Sequence, residues 1–488
     1  MVDKNSLIDI KSDYSFNTQK ECDSMHELNL KNFGPLKKAE ISVLPLTIFV
    51  GQNSSGKSHC SKLIHSVLTS IDNPDAFAIN AMETLLDTNP ELFEDFNNNL
   101  MQYLDSKPNF FNDAFHYDGD KFDRLFCDGI IKTHISLLES TLKSNFSADL
   151  AMLNGTSQDS FEIRFDNLGF FNDCGTLKSS SPLHIDQNKI KLKNKLLFEF
   201  ERMDGEVLIK LDYLALSNLF SGYDMFSSVV YSALASAYAK QRQESFYIPA
   251  SAQSTTDKFR SILSDELLGL KMTSLIDKVM LVSYLNNQRF VKNRNFHDIA
   301  CKIERDVLNG EIKFRNNGVY DDLIFKDYNN GREFDFNLVS SSVKQLTPLI
   351  NYLKYELDVG DTLIIEEIEN HLHPANQRIL VKYLINLVNA GLNIILTTHS
   401  DYILEQFNNL IRLSNVDFNR LNDLGFDNAD VLSHEKIAIY NFKNNPSVVS
   451  RFDINKTGFL DEVFSEVIEN LYDESLEIIH SRRRGCDD

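Results

Sequence analysis

Gly51-Gln52-Asn53-Ser54-Ser55-Gly56-Lys57-Ser58 decides how this chain is read. It fills every fixed position of G-x-x-x-x-G-K-[ST]. On its N-terminal side, Thr47-Ile48-Phe49-Val50 is an apolar, β-branched run of buried-strand type. On its C-terminal side, Cys60, Leu63, Ile64, Val67 and Leu68 recur at the spacing of an amphipathic helix. A strand, a glycine turn and a helix in that order aim backbone N–H groups and a helix N-terminus at an anion. Gly51 and Gly56 let the backbone close on phosphate oxygens, Gln52 to Ser55 span the turn, Lys57 reaches the β- and γ-phosphates, and the Ser58 hydroxyl is placed to ligate Mg²⁺. The pattern predicts a site for a nucleoside triphosphate.

Working outward, the rest of the chain is that of an ordinary globular protein, with 488 residues, 42% hydrophobic and 24% charged. A net charge of −21 provides no general field for nucleic acid or anionic membrane. No signal-peptide core or apolar run of bilayer length stands out, so a cytoplasmic location without membrane contact is expected. The six cysteines are scattered without a C-x-x-C pair and read as free thiols.

A second stretch complements the first. Leu363-Ile364-Ile365-Glu366-Glu367 is a buried strand ending in two acids. Carboxylates at such a strand end are costly without a partner. In phosphoryl-transfer sites the first serves Mg²⁺ and the second the attacking water. Pro374 opens a helix with the stripe Ile379, Leu380, Tyr383, Leu384, Leu387 and Val388, and Gly391 stands where a C′ glycine belongs. The strand Ile394-Ile395-Leu396 then delivers Thr397-Thr398-His399-Ser400, which puts His399 in reach of a γ-phosphate. His371 and His373 read as structural, since no third ligand at suitable spacing accompanies them.

Between these stretches the patterning alternates. Helical spacing covers Ala81–Leu86, Ile130–Leu142, Tyr223–Gln241 and roughly Phe259–Leu308, while period-two alternation covers Phe161–Phe165, Ile190–Leu192, Leu197–Glu201 and Val207–Leu211. Asp204-Gly205 marks a hairpin, and the alternating strands are expected to form one antiparallel sheet with a wet face. Asn316–Gly318 and Asn329–Gly331 punctuate a further β-meander.

The run Glu366-Glu367-Ile368-Glu369-Asn370-His371-Leu372-His373-Pro374, followed by Thr398-His399-Ser400, resembles the RecF/SMC/OLD-like branch of ABC-type ATPases, whose motif is roughly D-E-x-E-x-x-L-H-P with a later T-T-H-S. The likeness covers residues 26–70 and 335–410. It implies an α/β fold: an ABC-type P-loop ATPase head with an antiparallel β subdomain and a helical insertion. The expected divisions are an N-terminal extension (1–25), an N-terminal core lobe (26–70), a helical insertion (71–150), a β subdomain (151–215), a helical segment (216–310), a C-terminal core lobe (311–430) and closing strands and helix (431–488).

The resemblance also implies roles: Lys57 on phosphate, Ser58 and Glu366 on Mg²⁺, Glu367 as base, His399 as γ-phosphate sensor. A mobile signature loop should precede the acid strand. Val339–Leu346 matches it best, with Ser341 as the contact to ATP held by the opposite protomer of a head-to-tail homodimer. Two departures stand out: Glu366 for the usual Asp points to slow hydrolysis, and Ser342 for the usual Gly points to a looser closure. Pro348 within the following stripe predicts a helix that is kinked or starts late.

Only about 90 residues follow the T-T-H-S region and none spell D-x-D, so no TOPRIM nuclease domain is expected. The tail Phe459–Ile479 is acidic and helical and leads into Arg482-Arg483-Arg484. ATPases of this form resemble the PtuA-type components of Septu and retron systems and the AriA-type ATPase of PARIS. That likeness implies a homo-oligomeric sensor and scaffold of an anti-phage system, controlling a separate HNH or TOPRIM effector nuclease and triggered by nucleic acid or a phage protein. Two other readings stay open. One is a RecF-like repair or recombination ATPase binding DNA directly, which the acidic charge opposes. The other is a scaffold in which ATP is a structural ligand.

Overall fold

The computed structural model describes residues 26–69, 90–106, 115–118, 121, 128–146, five short strands between 162 and 211, 244–250, 291–316, 321–444, 448–460 and 462–484. The helical readings at Ala81–Leu86 and Tyr223–Gln241, the alternation at Ile190–Leu192, most of Phe259–Leu308 and the 1–25 extension lie outside them.

A ten-stranded, curled mixed sheet organises the chain. Its parallel half comprises β3 (Leu46–Gly51), β10 (Ser245–Ile248), β14 (Thr362–Ile365), β15 (Asn393–Thr397) and β16 (Ile437–Lys443), in the order β10-β14-β15-β3-β16. Every residue of β3, β14 and β15 is buried, as a parallel strand covered on both faces requires. Leu46, Ile48, Val50, Leu363, Ile365, Ile394 and Leu396 enter one core cluster, while Phe49, Ile364 and Ile395 enter the other. The first core packs under α5 (Ser341–Tyr355), α6 (Pro374–Asn389) and α7 (Asp401–Arg412). The second is closed by α1 (Lys57–Thr69), whose Cys60, Leu63, Ile64 and Val67 are the stripe read from the sequence.

The sheet continues through β17 (Val448–Arg451) into an antiparallel wing of β2 (Leu36–Val43), β1 (His26–Phe33), β5 (Glu162–Asp166) and β6 (Gly175–Lys178). Here the structure departs from the single antiparallel sheet expected for the middle of the chain. β5 pairs with β1, Leu28 against Phe165 and Leu30 against Ile163, and so extends the ten-stranded sheet. The hairpin of β8 (Phe198–Met203) and β9 (Glu206–Leu211) forms as read, but in a second sheet with β4 (Phe115–Asp118) and β7 (Lys193–Asn194). Alternation fixes which side chains share a face; it carries no information about which sheet a strand joins.

α2 (Pro90–Ser106) and α3 (Asp128–Phe146) lie in the intervening stretch, and α3 packs on α1 through Leu138 and Leu142. The meander β11 (Gly310–Asn316), β12 (Asp321–Asp327) and β13 (Glu333–Asp335) is present, with Gly331 at φ +69° in its second turn. Ahead of it, α4 (Arg294–Ile303) widens into a π-turn at Glu304–Leu308, burying the Glu304 carboxylate against Lys354. α5 begins at Ser341, so Pro348 does not delay it. The hydroxyl of Thr347 donates to the Val343 carbonyl, supplying local hydrogen bonding beside the proline that cannot donate. α8 (Phe418–Asp423) and the terminal α9 (Glu462–Arg484) complete the elements used below.

Candidate active site

The glycine loop runs from the end of β3 into α1, and its backbone is held in conformations the sequence anticipates. Gly51 has φ +126° and Gly56 φ +103°. A Cβ on Gly51 would lie 2.2 Å from the Phe442 carbonyl oxygen, because β16 runs hard against the loop. Ser54 takes φ +61° at the exposed tip, and the Ser55 hydroxyl closes the turn on the Gln52 carbonyl at 2.7 Å. Asn444, just after β16, donates to the Asn53 carbonyl at 2.9 Å and pins the tip from outside.

Lys57 is 6% exposed, and its ammonium donates to the Gly51 and Gln52 carbonyls at 2.9 and 2.7 Å. Burial lowers its pKa to about 8, against the opposing pull of Glu367, Glu369 and Glu366, in that order. One buried ammonium is therefore faced by three carboxylates that come from a stretch some 310 residues away in the chain.

The strand order explains the meeting. β15 lies between β3 and β14, so the Thr398 N–H reaches the Phe49 carbonyl at 3.1 Å on one side. On the other, the Glu367 N–H donates to both the carbonyl and the hydroxyl of Thr397, each at 3.0 Å. Glu367 sits at φ +46°, a sparsely populated conformation for a side-chain-bearing residue, held by that pair of bonds. The Asn370 amide donates to its carboxylate at 2.9 Å and so orients it.

Glu366 is 4% exposed, and its carboxylate accepts from the Ser61 hydroxyl at 3.0 Å, one turn beyond Ser58 on α1. The longer side chain reaches past the position where a shorter Asp would stop. Tyr247 on β10 has a buried hydroxyl that makes no hydrogen bond among the described residues; burial first, and then the nearby Glu366 charge, hold that phenol protonated.

Glu369 ties the acid loop to the T-T-H-S strand end. Its carboxylate accepts from the Thr398 hydroxyl at 3.0 Å and from the His399 backbone N–H. Burial raises its pKa while those bonds lower it. His399 is half-buried; burial first, and then the Lys57 charge, depress its pKa, so the ring is neutral at pH 7. Ser400 is anchored on Gln377 at 2.6 Å. His373 caps α6, its Nδ1 accepting from the Ala375 N–H at 3.2 Å, and Gly391 at φ +95° follows the helix end as expected of a C′ residue.

Ser341 stands apart from this cluster. It is the first residue of α5 and half-buried, and the capping role falls to its neighbour Ser340, whose hydroxyl accepts from the Val343 N–H at 3.4 Å. Among the described residues no hydrogen bond joins it to the glycine loop or the acids.

The sequence reading passed over Glu369, Asn370, Thr397, Ser61, Tyr247 and Asn444. Glu369 was visible as the third acid of the E-E-x-E run; the others carry no local signal, since each acts by meeting a distant residue.

The chain matches AAA_15, described as the AAA ATPase domain, over residues 25–404. It belongs to that family. The family region spans the glycine loop, the acid pair and the T-T-H-S strand together. None of the curated proteins matches the chain. Among solved structures it is similar to an SMC head bound to the C-winged helix domain of ScpA, at 13% identity and TM-score 0.36, covering 87% of this chain and 96% of that one. It is also similar to the SMC head domain from Thermotoga maritima, at 13% identity and TM-score 0.34, covering 88% and 98%. A third is the SMC head domain with an extended coiled coil bound to the C-terminal domain of ScpA from Pyrococcus furiosus, at 11% identity and TM-score 0.37, covering 92% and 98%. The fold of this AAA ATPase domain is the α/β, ABC-type P-loop ATPase head read from the sequence. Among its described residues, no helix is long and apolar enough to cross a membrane.

Proposed function

We propose that this chain binds Mg²⁺–ATP in the Gly51–Ser58 loop and hydrolyses it slowly with Glu367 as general base. The observation that carries the reading is that Lys57 is buried in the loop while Glu366, from the distant acid stretch, is bonded to Ser61 on the helix that Lys57 opens, with Glu367 and Glu369 in electrostatic reach of the ammonium. Without a cation these acids would repel a triphosphate. Among the described residues, no group of three His, Cys, Asp or Glu side chains could hold a metal by itself. Mg²⁺ keeps waters and phosphate oxygens as ligands, so one carboxylate and one hydroxyl suit it; Glu366 and Ser58 would hold it. When bound it neutralises charge developing on the phosphate oxygens.

The remaining roles fall to the chain's own groups. Lys57 exchanges its loop carbonyls for phosphate oxygens and draws charge from the γ-phosphate. Glu367, oriented by Asn370, takes the proton from the attacking water. Neutral His399 donates one ring N–H to the γ-phosphate, and Glu369 holds its backbone in place. Ser341, outside the cluster, acts on ATP bound by a second copy, giving a head-to-tail dimer that closes on ATP and opens after hydrolysis.

The biological setting rests on the resemblance to PtuA- and AriA-type ATPases: a cytoplasmic sensor and scaffold that holds a separate HNH or TOPRIM nuclease until a phage signal, nucleic acid or protein, arrives. The test is single-turnover hydrolysis by wild type and Glu367→Gln, with dimer formation followed by light scattering. Loss of turnover with an ATP-stabilised dimer is expected; equal rates would remove Glu367 from the mechanism. A nuclease or reverse-transcriptase gene beside this one supports the defence setting, and its absence from all close homologues counts against it.

A further inference from the structure

One buried polar atom beside the acids has no partner. Tyr247 is 3% exposed, and its hydroxyl makes no hydrogen bond among the described residues. A phenol so placed costs stability, and Phe would fill the same space without that cost. Its position follows from the sheet. β10 runs parallel to β14 with Tyr247 opposite Ile364, and both side chains enter the core that α1 closes. Glu366 stands two residues beyond Ile364 and keeps to the same face, its carboxylate accepting from Ser61 on α1 at 3.0 Å. The Tyr247 hydroxyl thus lies in electrostatic reach of the Glu366 carboxylate and the Ser61 hydroxyl and is bonded to neither. His65, one turn after Ser61 on α1, lies against the ring at 5.3 Å between centroids and is tied to the Ser245 hydroxyl at 3.0 Å. Burial pushes the His65 pKa down to about 4, so this imidazole is neutral and offers Glu366 no charge.

We infer that Tyr247 is a positioning residue of the metal site: when Mg²⁺ enters with nucleotide, its hydroxyl donates to the Glu366 carboxylate and steadies that side chain on the metal. The inference rests on the Mg²⁺–ATP reading above. A carboxylate serving a metal keeps lone pairs to spare, and hydrogen bonds to them orient the ligand and raise metal affinity. Ser61 supplies one such donor. Glutamate has one more rotatable bond than the usual Asp, so a single donor leaves it less fixed, and a second offsets the difference. Toward a carboxylate a protonated phenol can only donate. The hydroxyl is idle in the free chain and is employed in the loaded one.

The experiment is calorimetric titration of the full chain, wild type and Tyr247→Phe, with the non-hydrolysable analogue AMP-PNP. It is run with a chelator and across a Mg²⁺ series, beside melting curves of the metal-free proteins. Metal-free affinities should agree within about twofold, while the Mg²⁺ needed for half-saturation should rise about tenfold in Tyr247→Phe. Metal-free melting should be unchanged or raised. In a Glu366→Gln background the same substitution should add less than about twofold, because the hydroxyl acts through that carboxylate. A full effect in that background overturns the route through Glu366. Equal Mg²⁺ dependence of wild type and Tyr247→Phe overturns the inference and leaves the ATP reading intact. So does a lower melting temperature of metal-free Tyr247→Phe, which would mean that the hydroxyl is already bonded in the free chain. A wild type whose nucleotide binding ignores Mg²⁺ overturns both.

Discussion

The charge on Lys57 gives the most direct test of the site. In the free protein its pKa is lowered to about 8 by burial, from 10.5. Triphosphate oxygens favour the ammonium and raise its pKa on binding. ATP therefore binds with proton uptake once pH exceeds about 8, and affinity falls as pH climbs. Between pH 7.5 and 9.5 the protonated fraction drops roughly 25-fold for a pKa near 8. Screening at the open side of the loop reduces the effect to about tenfold, or ~1.4 kcal/mol of binding. The γ-phosphate is fully ionised across this window and contributes no slope. Titration calorimetry in two buffers of different ionisation heat measures both affinity and protons taken up. Lys57→Met should bind weakly with no pH dependence. Flat affinity for wild type, with no proton uptake at pH 9, would refute the argument that burial outweighs the three carboxylates. The same shift gives a stability sign. The unfolded chain binds the extra proton between pH 8 and 10.5, so in nucleotide-free protein this group's contribution to stability rises with pH over that window.

Further perturbations test separate parts of the structure. Gly51→Ala combines a positive φ with a Cβ 2.2 Å from the Phe442 carbonyl and should cost at least about 3 kcal/mol, seen as a lower melting temperature as well as lost ATP binding. Glu367→Gln should lower single-turnover hydrolysis by about 10² to 10⁴ while leaving ATP affinity within about threefold. Lys354→Met strands the Glu304 carboxylate, which is 1% exposed and 2.7 Å from the Lys354 ammonium, and should destabilise by about 3 to 5 kcal/mol in urea unfolding. Asn444→Ala removes the outer pin on the Asn53 carbonyl, so weaker ATP binding with unchanged melting is the expected result.

The sequence alone determined the local parts of this protein. The glycine loop, its strand and helix, the acid pair, the Pro374-to-Gly391 helix and the T-T-H-S strand end were legible because each depends on residues within a turn or two of one another. Periodicity, caps and positive φ are short-range effects. Only the tertiary structure decided what these parts do together. It placed β15 between β3 and β14, so that Lys57 faces acids some 310 residues away, and it sent β5 to the ATPase sheet and β8 and β9 to another. It carried the Glu366 carboxylate to Ser61 and turned Glu369 into the tie between the acid loop and His399. Those outcomes depend on sheet order and on burial. Both are set by how the whole chain collapses around two cores, and no window of sequence contains them.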